Sequence, residues 1–351
     1  MMKNKIVDLF CGCGGLSKGF EMAGFEVALA IDMWSDAIET YNYNHKNKVA
    51  KCIDIHNITN EQLIALHNEG VVGVVGGPPC QGYSTVGTRD VTDPRNHLYL
   101  EYCRVVETIQ PLFFVLENVK GLITLSGGAF KNDIISRFEK LGYTVKFQIL
   151  NAANFGVPQK RERVFFVGIK NQSFEFPQGN TDLIGCLAAL GDLPLLDEEN
   201  GDMPTHEYAT SPQNDYQALM RKNSSVLYNH QITHHSEQTK TIISMIPDGG
   251  KIKDLPREYW DVRKYNKAFE RMSSIRPSNT VDTGHRNYFH YKENRIPTVR
   301  ENCRLQSFPD DFIVLGSRTS QYKQVGNAVP PLLAFAIARE IRKQIGGQYE
   351  D

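Results

Sequence analysis

At 351 residues, 41% hydrophobic and 23% charged, the chain has the make-up of an ordinary globular protein and can bury a full α/β domain plus a smaller second one. Neither the start, MMKNKIVDLF, nor any later stretch carries the apolar run of a signal peptide or membrane span, so a cytoplasmic location is expected, nucleoid-associated if DNA is the substrate. Seven cysteines without a C-x-x-C pair argue against a disulfide framework or a zinc site, and a net charge of −1 leaves any nucleic-acid contact to a local basic face.

The first third alternates strand-like and helix-like runs. Lys5–Phe10 reads as a strand, followed by a glycine-rich turn and an amphipathic stretch over Leu16–Ala23. Val27–Ile31 is a second strand and Asp36–Asn44 a helix. Val71–Val75 and Phe113–Glu117 are continuous apolar runs bounded by turn signals, the pattern of buried parallel strands. Gly142–Leu150 and Arg163–Ile169 add strands near a sheet edge. The rhythm predicts an α/β fold, a doubly wound and mostly parallel Rossmann-like sheet with ligands at the strands' carboxyl ends. From about Asn171 to Gly316 Pro, Asn, Asp and Gly are frequent and the alternation stops, so a smaller irregular domain is expected over 171–316. The catalytic and cofactor-binding domain is then 1–170. The segment 317–351, ending in a helix over Leu332–Ile345, returns to it.

Asp8-Leu-Phe-Cys-Gly-Cys-Gly-Gly15 follows a strand and opens a helix, and its glycines allow a tight turn and close approach of backbone to a ligand. Ser17 stands where a third dinucleotide-type glycine would fall. Asp32, one strand later, suits ribose hydroxyls, and Asp54-Ile55 suits an adenine edge and face. On these residues alone NAD, FAD and S-adenosylmethionine remain open.

Gly76-Gly-Pro-Pro-Cys80-Gln-Gly-Tyr-Ser84 follows an apolar strand. Two glycines and two prolines remove regular hydrogen bonding and present one thiol at a strand's carboxyl end, a placement suited to nucleophilic attack. Glu117 directly follows another buried strand, where an acid is costly unless used or paired. Gln159-Lys-Arg161-Glu-Arg163 concentrates positive charge that can steady a thiolate, a carboxylate or a phosphate.

The ordered set Asp8–Gly15, Gly76–Ser84, Glu117–Val119, Gln159–Arg163, Arg276–Val281 and Gln324–Pro331 resembles the DNA (cytosine-5)-methyltransferases, of the prokaryotic restriction-modification type. The resemblance implies transfer of a methyl group from S-adenosylmethionine to carbon 5 of a cytosine flipped out of duplex DNA. It makes Cys80 the nucleophile at carbon 6, Glu117 the partner of ring nitrogen 3 and the exocyclic amine, and Arg163, with Arg161 behind it, a support of the base. It lines the cofactor pocket with Phe10, Gly12, Gly14, Asp32, Met33, Asp54, Ile55 and Asn327. Two departures stand out: the family often has Glu where Asp32 stands, and Met33 takes the place of an aromatic stacking residue. A loop reading Gly-Pro-Pro-Cys, rather than Asp/Asn-Pro-Pro-aromatic, points away from amino-group methylation. The same chemistry on tRNA and a catalytically silent DNA-binding relative are the alternatives.

The family's target-recognition region corresponds to about Asn171–Ser274 here. Arg221, Lys222, Lys240, Lys251, Lys253, Arg257, Arg263, Lys264 and Lys267 are its candidate DNA contacts. No metal is expected: His230, His234 and His235 lack cysteine partners or a helical H-x-x-x-H frame, which favours hydrogen bonding. A monomer is expected, with a cognate restriction endonuclease as a separately acting partner.

Overall fold

Continuous apolar strands joined by amphipathic helices set the order of the first half. The computed structural model describes residues 4–79, 97–260, 269–284 and 288–346. The chain runs β1 (Lys5–Leu9), α1 (Gly15–Met22), β2 (Glu26–Asp32), α2 (Ser35–Asn44), β3 (Ala50–Cys52), α3 (Asn60–Asn68) and β4 (Val71–Gly76). Next come α4 (His97–Ile109), β5 (Phe113–Val119), α5 (Ala129–Lys140), β6 (Tyr143–Asn151) and β7 (Glu162–Lys170). The strands form one seven-stranded sheet in the order β3-β2-β1-β4-β5-β7-β6, parallel except that β7 runs antiparallel to both neighbours. This is the expected doubly wound, mostly parallel α/β architecture.

Glycines on neighbouring strands seat two adjacent phenylalanines of β5. Phe113 pairs with Gly73 and Phe114 with Gly168, and a Cβ on either glycine would fall about 2 Å from the opposing ring. The two rings face opposite sides of the sheet, so each covering layer receives one. Val7, Leu9, Val74, Leu116, Val164 and Phe166 add fully buried side chains to the core.

The chain divides into two compact units. One comprises Met1–Asn151, Glu162–Gly179 and Pro331–Asp351, and the other Ala152–Arg161 and Asn180–Pro330. Against boundaries expected at 170/171 and 316/317, the excursion Ala152–Arg161 joins the second unit, and the return to the first begins at Pro331. The returning helix, Pro331–Gly346, packs on α1, and Gly19 permits the contact: a Cβ there would lie 2.4 Å from Ala334 Cβ and 2.6 Å from the Pro331 carbonyl.

The second unit carries short elements: α6 (Cys186–Leu190), β8 (Thr205–His206), α7 (Asp215–Arg221), β9 (Leu227–Tyr228), α8 (Glu237–Met245), β10 (Glu270–Arg271), β11 (Tyr288–Phe289), α9 (Val299–Leu305) and α10 (Arg318–Asn327). So little regular structure leaves many backbone carbonyls without ladder or helix partners. Buried arginines supply the donors. Arg300 donates to the carbonyls of Tyr228, Pro309 and Phe312, and Arg271 to those of Ile243 and Ile246 at the end of α8. Arg304 is fully buried between two carboxylates, with Nε 2.6 Å from Asp310 Oδ1 and Nη1 3.0 Å from Asp192 Oδ1.

Candidate active site

In the first unit the expected site residues that are described fall at or just past the carboxyl ends of β1, β2, β3 and β5 and at the start of β7. After β1 the backbone turns through Phe10 and Gly12, both at positive φ, and a Cβ on Gly12 would meet nothing within 4 Å. Gly14 is also left-handed, and its α-hydrogen faces Tyr41 and His45, where a Cβ would be 2.8 and 2.2 Å away. Asp32, at the end of β2, uses its carboxylate to fix this turn. It accepts from the Gly12 N–H at 2.9 Å and the Trp34 N–H at 3.0 Å. Met33, between them, is 65% exposed. Asp54 lies just past β3 and accepts from the His56 backbone N–H at 3.0 Å, which with the contact to the His56 ring holds its carboxyl below the usual range. Ile55 is buried in the core below the strand ends.

Beneath the turn lies a group whose residues the motif contains or adjoins but to which the sequence assigns no role. Asp8 is fully buried, and its Oδ2 accepts from Ser17 Oγ at 2.6 Å, which in turn accepts from Tyr41 at 2.8 Å. Asp8 Oδ1 has no hydrogen-bond partner. Burial, opposed by the Ser17 bond and reinforced by Asp32 and Glu21, pushes this carboxyl up to about 7. An acid closing an apolar strand was the available signal.

Glu117 and Arg163 face each other on neighbouring antiparallel strands, Oε1 to Nε at 3.0 Å. Gly77 sits against this carboxylate: a Cβ there would lie 2.8 Å from Glu117 Oε2. Asn118, the next residue, is buried and donates from Nδ2 to the Pro78 carbonyl at 2.9 Å. Cys80 lies outside the described residues.

The second unit brings together three other segments singled out in the sequence. Gln159 Nε2 donates to Gln306 Oε1 at 2.8 Å, and its Oε1 accepts from the Val281 N–H at 2.8 Å. Arg161 is buried and donates to the Gly326 carbonyl at 2.9 Å and the Val281 carbonyl at 3.4 Å. Asn327 is the last residue of α10. Arg161 thus holds the Val281 and Gly326 segments together by their backbones.

Not every basic candidate is free to meet a phosphate. Arg221 stacks on Tyr208 with its guanidinium 3.6 Å from the ring centroid and donates to Thr210 and Asp192. Lys240 pairs with Glu198 and Glu237. Lys222, Lys251, Lys253 and Arg257 are exposed, whereas Arg263, Lys264 and Lys267 lie outside the described residues.

The histidines are engaged in hydrogen bonds. His230 is buried between Thr298 Oγ1 and the Pro194 carbonyl, and burial drives its pKa down to about 4. His234 meets Asp202, and His235 accepts from the Ile296 N–H. The donors of His290, Glu293 and Glu301 lie close enough to share an ion, but the Arg295 guanidinium occupies that cluster, with bonds to both carboxylates.

The profile of C-5 cytosine-specific DNA methylases matches residues 4–343. The chain belongs to this family. It is 40% identical over 347 residues to the Type II methyltransferase M1.HphI of Haemophilus parahaemolyticus, covering 96% of this chain and 86% of that protein. It is 38% identical over 368 residues to M.DdeI of Desulfomicrobium norvegicum, with 96% and 88% covered. Among solved structures, a protein described as a DNA modification methyltransferase encoded within an E. coli prophage shares the fold at a TM-score of 0.82 and 24% identity, over 97% of this chain and 99% of the other. The Dnmt2 methyltransferase of S. pombe shares it at 0.64 and 17%, over 98% and 99%.

As a DNA (cytosine-5)-methyltransferase the chain takes its methyl group from S-adenosylmethionine and acts on DNA. The residues present fit that donor. Gly12 leaves open the space a Cβ would fill, two carboxylates at successive strand ends suit hydroxyl and amine donors, and the exposed Met33 thioether offers an apolar surface. Asp32 stands where the family often has Glu, and its shorter side chain bonds directly to the turn amides. Among the described residues no helix is long and apolar enough to cross a membrane.

Proposed function

We propose that this chain is the site-specific modification methyltransferase of a type II restriction-modification system, acting on duplex DNA through a covalent Cys80 adduct. The observation that carries the reading is the Glu117–Arg163 pair, held against Gly77 at the root of the loop that leads to Cys80. The Cys80 thiolate adds to carbon 6 of cytosine, and the displaced pair makes carbon 5 nucleophilic. Glu117 hydrogen-bonds the pyrimidine edge and Arg163 holds Glu117, so preplaced groups meet the charge that develops on the ring. Carbon 5 takes the donor's methyl group, then loses its proton, and elimination of Cys80 restores the aromatic ring. The target atom is hidden inside a stacked duplex, so the base must be flipped out at a cost of a few kcal/mol.

Phe10, Gly12, Gly14, Asp32, Met33, Asp54, Ile55 and Asn327 would hold the donor, which when bound supplies an electrophilic methyl group. Arg161 supports the site through the segments it ties together. The region 171–316 reads the DNA sequence, and the irregular, loop-rich build of Asn180–Pro330 supports that assignment. The enzyme works as a monomer on chromosomal DNA in the cytoplasm, with a cognate endonuclease acting separately.

The test is methyl transfer from labelled S-adenosylmethionine to mixed-sequence duplex DNA and, separately, to bulk tRNA, with wild type and Cys80→Ala in parallel. Label recovered as 5-methylcytosine from DNA alone, and lost in the variant, is the expected result. Undiminished transfer by Cys80→Ala would remove the covalent step.

A further inference from the structure

We infer that His56 is a positioning residue for the cofactor: its ring clamps one oxygen of Asp54 and leaves the other directed at the adenine amine. The inference rests on the proposed role of Asp54 in holding S-adenosylmethionine. β3 ends at Cys52, and the backbone beyond it is fixed without help from the Asp54 or His56 side chain. The Ile53 N–H donates to the Asp32 carbonyl at 3.0 Å, and the Asn57 N–H to the Asp54 carbonyl at 2.9 Å. Ile55 is buried in the core, and Arg104 of α4 donates to its carbonyl at 3.1 Å. Arg104 is itself held by Glu101 and Asn60. What remains to be set is the direction of the Asp54 carboxylate.

A carboxylate turns easily about its last bond, because that torsion has a broad, nearly two-fold profile. His56 removes this freedom by approaching one oxygen twice. Its backbone N–H donates to Asp54 Oδ1 at 3.0 Å, and its ring Nδ1 to the same atom at 2.6 Å. Asp54 Oδ2 receives no hydrogen bond from the described residues, so one oxygen is committed and the other is left to accept. The pair does not serve burial, since the side chains are 35% exposed for Asp54 and 46% for His56. An ion pair at such a surface contributes little to folding, and its effect is on direction. The two bonds also hold the carboxyl below its usual range, which keeps Oδ2 an acceptor. The ring makes one further demand. Nδ1 is attached to Cγ, the place that the amide nitrogen of Asn takes, whereas the amide of Gln reaches one bond farther, to the place of Nε2. Asn at this position can therefore stand in for the ring, and Gln cannot.

The experiment measures binding to the whole chain by calorimetry with two probes. One is S-adenosylhomocysteine, and the other is its analogue with purine in place of adenine, which lacks the exocyclic amine. Wild type, His56→Ala, His56→Asn, His56→Gln and Asp54→Ala are compared, with Tm recorded for each.

For His56→Ala the affinity for S-adenosylhomocysteine should fall roughly 3- to 10-fold, the weakening of one hydrogen bond, while that for the purine analogue stays within about twofold of wild type. His56→Asn should restore the affinity to within about twofold, and His56→Gln should behave as His56→Ala does. Should His56→Ala fail to fold, His56→Gln carries the same comparison. If Asp54→Ala loses the preference for the amine but His56→Ala weakens both probes alike, or neither, the inference is overturned and Asp54 keeps its role. Rescue by Gln as full as by Asn overturns it as well. Wild-type affinity of Asp54→Ala for both probes would remove Asp54 from the adenine site, and the inference with it.

Discussion

Arg163 Nε stands 3.0 Å from Glu117 Oε1, although the two residues are not paired in the sheet: Arg163 lies opposite Val119, and Glu117 opposite Phe165. The diagonal contact joins the carboxyl-terminal part of β5 to the second residue of β7, and it keeps a largely buried carboxylate compensated where an isolated one would be costly. Replacing Glu117 by Gln keeps the shape and removes the charge. We expect single-turnover methyl transfer to fall about 100- to 1,000-fold with cofactor affinity unchanged. An unaltered rate would take Glu117 out of the chemistry.

Asp8 carries a proton in the folded chain that the unfolded chain releases. Its pKa is raised from 3.8 to about 7, so stability falls as pH rises between those values and stays level above them. Asp8→Asn keeps an acceptor for Ser17 and removes the ionisable group. In urea unfolding without cofactor, its advantage over wild type should grow from little near pH 4 to a plateau above pH 7, at most about 4 kcal/mol. Equal differences at pH 5 and pH 8 would contradict this.

Gly19→Ala puts a methyl group into the backbone and Ala334 of the returning helix. A loss of about 1–3 kcal/mol in chemical unfolding is expected, and more than an exposed helical Gly→Ala change would give in the other direction. A neutral outcome would mean that the two helices can separate at no cost.

Removing Arg304 as Arg304→Leu takes the shared guanidinium from Asp192 and Asp310, both fully buried, leaving Asp192 to Arg221 and Asp310 to the Tyr208 hydroxyl and the more distant Arg300. The cost should be about 3–5 kcal/mol, with early proteolytic cleavage confined to residues 180–330. Cleavage that begins instead in the first unit would place the weak point elsewhere.

Exchanging residues 171–274 for the matching segment of a relative with another specificity should change the DNA site that is methylated. The measurement is sequencing of 5-methylcytosine in a mixed-sequence duplex pool. An unaltered site would place recognition outside the segment.

The sheet was legible because its central strands are apolar on both faces. Val71–Val75 and Phe113–Glu117 stand out by composition alone, and the structure extends them only to Gly76 and Val119. The irregular second half was legible as irregular but not in its interior. Its excess of arginine reads as surface charge, and periodicity gives no sign that Arg271, Arg300 and Arg304 turn inward to serve carbonyls and acids far away in sequence. In the site, residue types that are chemically unusual for their position stood out, among them Glu117 after a buried strand. Asn118 did not, since a neutral amide at a strand end is unremarkable until its partner across the loop, Pro78, is seen. Asp32 was expected for ribose; that it also pins the Gly12 and Trp34 amides depends on two strand ends lying side by side.

The arginine-held interior of the second unit has a further implication. A guanidinium bound to a main-chain carbonyl is indifferent to the side chain that carbonyl belongs to. Tyr228, Pro309 and Phe312 meet Arg300 through an atom that every amino acid possesses. Surface residues on such a frame can be rewritten one by one while the frame still closes, so a scaffold of this construction separates the vocabulary it displays from the grammar that keeps it folded.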